Sequence, residues 1–326
     1  MKARATIAMT LMVLGATAFA GPLKTDQVGG DANWVAHVDV AAMLQSGLGK
    51  FILAEAEKKP EFVNKVTDLR QKFGFDLTRD VRGITIYGKQ VGPKDGVVIM
   101  DMTVDQQKVL ELLAVNDTHK EFKFGGRTLH QWTDPAEEVP DGEEIPAKAN
   151  FGTFYDAKTV LVASSLELLK NAIAVLDGKA ESLGKTEGLP MLPKPVAGEF
   201  FVVVASGIPM PAATDGPKAA LKDITDISLQ VGENKEGMFA EVVALVGDAK
   251  KATQLRDVIQ GFVALRQMMT QERNDLPVLG EKITVGGAEG MVSVSATAPT
   301  DSLIEMLKFL RDRTEKAKAQ AEAGDK

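Results

Sequence analysis

The chain of 326 residues contains no cysteine. That absence excludes disulfides, thiolate metal sites, cysteine nucleophiles and the lipidated cysteine of bacterial lipoproteins. Aromatic residues make up 6%, with two Trp and two Tyr, and the three histidines, His37, His119 and His130, all lie in the first half. The second half therefore has no imidazole to serve a serine nucleophile. Basic residues are in deficit, 38 Lys and Arg facing 45 Asp and Glu for a net charge of −7. Nucleic-acid binding draws its affinity from cationic side chains that displace counterions, so this balance argues against a nucleic-acid partner. No apolar run reaches the roughly 20 residues that a membrane-spanning helix needs. Also missing are the G-x-S-x-G elbow, the H-E-x-x-H helix, the P-loop and the dinucleotide fingerprint, each of which would specify a reaction.

What is present begins at the N-terminus. Lys2 and Arg4 precede an uncharged run from Ala5 to Phe19, and Ala18-Phe19-Ala20 stands before Gly21. This order of charged, apolar and small residues is that of a secretory signal peptide, so residues 1–20 are expected to be removed, leaving a periplasmic or secreted protein without a transmembrane segment. Loss of Lys2 and Arg4 makes the mature chain more acidic still. Exported to an oxidising compartment without disulfides, the fold has to rest on burial alone. Hydrophobic residues at 44% and charged residues at 25% are the proportions of a folded protein that can supply such a core.

Along the chain, Trp34 to Val40 alternates as a strand, with Val35, His37 and Asp39 on one face. Phe62, Val66, Leu69 and Phe73 recur at helical spacing, and Gly74 stands where a C-terminal cap belongs. Val81 to Tyr87 and Gly96 to Met102 form a predicted hairpin. Thr103 to Gln106 has capping-box spacing ahead of a helix through Leu110 and Leu113. Phe122 to Phe124 then meets the turn signal Gly125-Gly126, and Thr128 to Trp132 returns. A further hairpin over Asn150 to Ala163 leads through Ser164-Ser165 into a helix bearing Leu169, Ile173 and Leu176.

The second half repeats much of this order. Asp223 to Leu229 matches Asp80 to Ile86 in pattern, and a helix from Asp248 to about Gln271 carries Leu255, Ile259, Phe262 and Met269. Ile283 to Gly287 echoes Phe122 to Gly126, and Met291 to Ala296 leads into a closing helix with Leu303, Leu307 and Leu310, where Ser302 and Glu305 have capping-box spacing. The run Phe200 to Ala205 suits a central strand. The Pro-rich stretch Leu189 to Pro195 reads as a linker. The expected organisation is a signal peptide (1–20), a first α+β repeat (21–188), a linker (189–197), a second α+β repeat (198–314) and a charged, frayed tail (315–326). The fold class is α+β, two pseudo-repeats of antiparallel sheet with helices packed against it.

Trp34 to Val40, the step Phe73-Gly74-Phe75-Asp76, Gly125-Gly126-Arg127-Thr128, and Val160 to Ser165 ahead of a helix ending Leu176-Asp177-Gly178 together resemble a family of secreted bacterial proteins built from repeated α+β units, classed as a domain of unknown function. The resemblance implies a fold and no reaction, and it carries over no site residue.

Several residue sets invite a chemical reading. His119 and His130 flank the Gly-Gly turn, and antiparallel pairing would bring them toward one another, where two imidazoles and an acid suit zinc. His37 and Asp39 share a strand face and form a possible acid/base pair, but Asp39 also stands where a helix needs its N-cap. Asp134, Glu137, Glu138, Asp141, Glu143 and Glu144 crowd one loop but match no EF-hand order, so solvated acids are expected there rather than calcium ligands. Ser182 and Lys185 have S-x-x-K spacing without the partner motifs. The methionines Met191, Met210, Met238, Met268, Met269, Met291 and Met306, and Trp34 with Trp132, read first as core. No catalytic, cofactor-binding or metal residue is assigned. The expected function is an exported, non-enzymatic envelope protein that acts as an interaction or scaffold module on an envelope or extracellular protein. The alternatives are a carrier or chaperone for an apolar lipid or peptide and, third, a metal- or carboxylate-assisted hydrolase.

Overall fold

The computed structural model describes residues 21–90, 95–134, 137–138, 144–145, 148–207, 223–272 and 281–324. The signal peptide expected over 1–20 lies outside them. In chain order the elements of the first half are β1 (Trp34–Asp39), α1 (Val40–Gln45), α2 (Gly47–Ala56), α3 (Pro60–Phe73), β2 (Val81–Gly88), β3 (Val97–Met102), α4 (Gln106–Ala114), β4 (Lys120–Phe124) and β5 (Arg127–Asp134). They continue with the short pair β6 (Glu137–Glu138) and β7 (Glu144–Ile145), then β8 (Lys148–Phe154), β9 (Thr159–Ala163) and α5 (Leu166–Leu176). The second half has β10 (Glu199–Ser206), β11 (Asp226–Asn234), β12 (Gly237–Leu245), α6 (Ala249–Glu272), β13 (Lys282–Gly286), β14 (Met291–Ala298) and α7 (Thr300–Gly324).

All strands except β6 and β7 join one antiparallel sheet in the order β13-β14-β12-β11-β10-β1-β2-β3-β9-β8-β5-β4. The fold is thus α+β, as expected. The apolar run that pointed to a central strand is β10, which pairs with β1 across the middle of the sheet, Ala36 opposite Val203. From that seam each side runs outward through the same series: a hairpin (β2-β3 or β11-β12), a helix (α4 or α6), a second hairpin (β4-β5 or β13-β14) and a closing helix (α5 or α7). In sheet order the sides differ by one inserted hairpin, and in chain order α1, α2 and α3 stand between β1 and β2 of the first half. The β8-β9 hairpin stands between β3 and β5, whereas β14 pairs directly with β12. One sheet therefore runs across the Pro-rich linker.

Side chains alternate across a strand, so the sheet has two distinct faces. On one, Val35, Tyr87, Val97, Ile99, Leu129, Leu161, Val202 and Val204 are buried in a single cluster with Leu169, Ala172 and Ile173 of α5. The Ser164–Glu167 box opens α5 one residue later than its spacing implies, with Ser165 accepting from the Leu168 amide as N-cap. On the opposite face, α6 of the second half buries Ala252 and Leu255 against Ile224, Ala244 and Val292. The same face of the first half carries α3 and α4, neither of which has a fully buried residue.

Local chemistry sets these elements. Gly74 ends α3 at φ 72°, and Gly125 and Gly126 turn β4 into β5 at φ 57° and 79°, the two consecutive left-handed residues that a two-residue hairpin requires. Three expectations are corrected. The cap of α4 is Asp105, which accepts from the Gln107 and Lys108 amides, because the backbone is still extended at Asp105 and turns helical only at Gln106. Ser302 lies inside α7, which starts at Thr300 directly after Pro299, so it has no capping role. The stretch placed in a frayed tail continues α7 through Gly324. Among the described residues, no helix is long and apolar enough to cross a membrane.

Candidate functional site

The α3 stripe identified by its spacing faces inward: Phe62, Val66, Leu69 and Phe73 are the half-buried residues of a helix whose other positions are exposed. What it meets is a cavity. About 570 Å³ lies between α3, α4 and the sheet, inside the range of small-molecule sites. Leu69, Phe73 and Phe75 wall it on one side, and Val109, Leu112 and Leu113 of α4 on another. The sheet supplies Ile84, Met100, Met102, Val160, Val162, Phe154, His130 and Trp132. The register shift between Val81 and Gly83 sets Val81 opposite Met102, so it joins Ile84 on the cavity face. Every strand in this floor is internal to the sheet, with its backbone groups already paired.

Three residues break the apolar lining. Thr153 donates its hydroxyl to the Thr128 carbonyl at 2.8 Å, and the Asn116 side-chain oxygen already accepts from the amide and hydroxyl of Thr118. His130 is 4% exposed, and one ring nitrogen, Nδ1, lies 3.1 Å from Nε2 of His119. The two rings stack with centroids 5.3 Å apart, and Phe154 meets the His130 ring edge-on. The antiparallel expectation for this pair is thus met. Glu121 Oε1 lies 3.8 Å from His130 Nδ1. Burial pushes the His130 pKa down, with Glu121 opposing the shift and His119 and Lys123 adding to it.

The other candidates are structural. His37 is buried and bonded through Nδ1 to the Thr85 hydroxyl and through Nε2 to the Gly21 carbonyl. Asp39 accepts from the Ala42 amide as the N-cap of α1, and its second oxygen accepts from the Gly21 amide, which leaves no acid/base couple. Ser182 is buried at the start of a single helical turn and bridges to Gly29. Of the acidic loop, only the Asp134 side chain is described, and it accepts from Asn150. Met191 packs on the core as expected and Met268 is exposed, while Met210 and the Met269 side chain lie outside the described residues. Trp34 donates its indole N–H to the Gln90 carbonyl.

The sequence reading missed Met100, Met102 and Trp132 as cavity residues and Glu121 as a neighbour of the histidines. For Glu121 a signal existed. A two-residue Gly-Gly turn fixes the register, which sets Glu121 opposite His130 and His119 two positions earlier on the same face. The cavity residues carry no such signal, because a strand side chain lining a void reads the same as one in a core.

No family model matches the chain, and no curated protein matches it. Among solved structures it is similar to TP0453 in crystal forms III and I, at 10% and 11% identity. Each match has a TM-score of 0.45 and covers 88% of this chain, with 98% and 97% of the other. At that distance the likeness says nothing about what the protein binds.

Proposed function

We propose that this is an exported, non-enzymatic carrier of an apolar ligand, and that the ligand is a lipid acyl chain held between α3, α4 and the sheet. The observation that carries the reading is the apolar lining of the 570 Å³ cavity. Burying an acyl chain there releases about 0.8 kcal/mol per methylene, and a handful of methylenes outweighs the entropy of ordering a flexible chain. A peptide fits less well. Extended peptides bind by adding a strand to a free edge, and the strands beneath this cavity have none. Leu77, in the turn after α3, lines the cavity and is 38% exposed, so an apolar side chain stands at its mouth. The signal peptide would deliver the carrier to the envelope, where such lipids are found.

Trp132 provides the readout. Titration with a polyene fatty acid such as cis-parinaric acid should give saturable energy transfer from Trp132 with a stoichiometry near one, and Trp132→Phe should abolish most of it. Protein purified from its exporting host should release lipid into organic solvent. Absence of both saturable transfer and co-purifying lipid would return the scaffold reading to first place.

A further inference from the structure

At the edge of the cavity, the geometry points to a site for one Zn(II) ion, held by His119, Glu121 and His130. The ladder itself builds it: Glu121 and His130 are direct cross-strand partners, and His119 precedes Glu121 by two residues on the same face. The ligand atoms of the three residues all lie within 4.8 Å of one another. A tetrahedral ion with Zn–N bonds of about 2.0–2.1 Å sets its nitrogens about 3.3 Å apart. His119 Nε2 and His130 Nδ1, at 3.1 Å, are already at nearly that spacing. The carboxylate, 3.8 Å from His130 Nδ1, has to close by about half an ångström to meet the same requirement. Glu121 is exposed and free to make that adjustment.

The donor set selects the ion. Two imidazoles and one carboxylate suit zinc, while calcium and magnesium prefer more oxygens than this cluster offers. The nitrogens are also ready to coordinate. They face each other at hydrogen-bond distance on stacked rings, so one ion between them would meet both. Three protein ligands leave a fourth position open, which a water or an anionic group takes. The site thus differs from the acyl cavity in chemistry, although His130 belongs to both.

The full-length mature protein, loaded with Zn(II) and dialysed against metal-free buffer, should retain close to one zinc per chain by elemental analysis. His119→Ala and Glu121→Gln should each weaken zinc binding at least tenfold in competition with a chromogenic chelator. Both residues are away from the core, so these variants test the site without the folding risk of changing buried His130. Zinc should raise the melting temperature of the wild type and not that of the double variant. Co(II) in place of zinc should give the intense visible bands of a tetrahedral centre. Zinc retained at wild-type affinity by the double variant, no retained zinc in the wild type, or weak octahedral cobalt bands would each overturn the assignment. Val109→Phe, which fills the cavity, should leave zinc uptake intact, so failure of the carrier reading and failure of the metal site are separable.

Discussion

The two sides of the sheet place a helix over the same face and reach opposite outcomes. In the second half, β14 pairs directly with β12, and the 24-residue α6 lies across them, with Ala252 fully buried and Leu255 5% exposed. In the first half, the β8-β9 hairpin widens the sheet by two strands, while the matching helix, α4, has nine residues. The 14-residue α3 adds a second cover, yet neither helix sinks a side chain fully. The volumes follow: about 570 Å³ under α3 and α4, against about 320 Å³ under α6. Val81 and Ile84 line the first, and Ile224 and Ile227, their counterparts in the matched pattern, line the second. The wall is therefore alike in type on the two sides, and the width of the floor is what differs. A widened floor under short helices leaves the larger space, and a narrower one under a long helix leaves less of it and more buried side chain.

The largest effect that comparison predicts is on stability. Leu255→Ala should cost about 2–5 kcal/mol in urea unfolding, because it deletes buried methyl groups and leaves a void. Leu69→Ala, at the cavity wall, removes atoms that already lack partners on one side, and should cost less than about 1 kcal/mol. Equal costs would mean that the first cavity is packed in solution. Filling should show the reverse order. Val109→Phe should weaken acyl-probe binding at least tenfold, about 1.4 kcal/mol, without loss of stability. Val258→Phe, the same change under α6, should leave the probe affinity unchanged. Loss of binding from both would sever the link between floor width and function.

Capping is the next step down. Asp105 starts α4 and Asp248 starts α6, where it accepts from the Lys251 amide. Alanine at either should cost about 1 kcal/mol. Since α4 is a cavity wall held by few contacts, Asp105→Ala should also speed amide exchange along Gln106–Ala114, whereas exchange in α6 should follow global unfolding.

How much of this was legible in the sequence depends on whether the signal was local. The Gly-Gly turn, the α3 stripe with its Gly74 stop, the central strand at Phe200 to Ala205 and the hairpins were read correctly, since each is set by neighbouring residues and by period. The Thr103 and Ser302 boxes failed because capping depends on where the backbone turns helical, and spacing alone does not fix that. The insertion of β8-β9 between β3 and β5 was invisible for a different reason. The hairpin was recognised, but its place in the sheet is a long-range pairing that no local pattern encodes. The cavity follows from that insertion, so the site was hidden along with it, and the His119-Glu121-His130 cluster was half visible because its register comes from a turn of two residues.

The smallest effects lie at the seam, where buried His37 of β1 and half-buried Glu199 of β10 respond to pH with opposite sign. His37 is pushed below 6.5 chiefly by burial, with the Gly21 carbonyl and Asp39 opposing and Lys24 assisting. The neutral ring is the one the fold accommodates, so its contribution is complete above about pH 6.5 and is lost as pH falls through the lower folded value. Glu199 is pushed above 4.5, again chiefly by burial, while the Gln230 amide and a backbone bond at Val196 oppose the shift. Here the protonated form suits the fold, so its contribution is complete below about pH 4.5 and is lost as pH rises through the higher folded value. At neutral pH, then, Glu199 is a small cost and His37 is not. Glu199→Gln keeps an oxygen to accept from Gln230 and carries no charge, so it should raise the urea midpoint slightly at pH 7 and leave it unchanged at pH 4. His37→Gln should instead lower stability at pH 7 and flatten its decline between pH 6.5 and pH 5. If the two variants shifted the pH profile in the same direction, burial would not be what sets these groups, and the seam would be wetter than its packing implies.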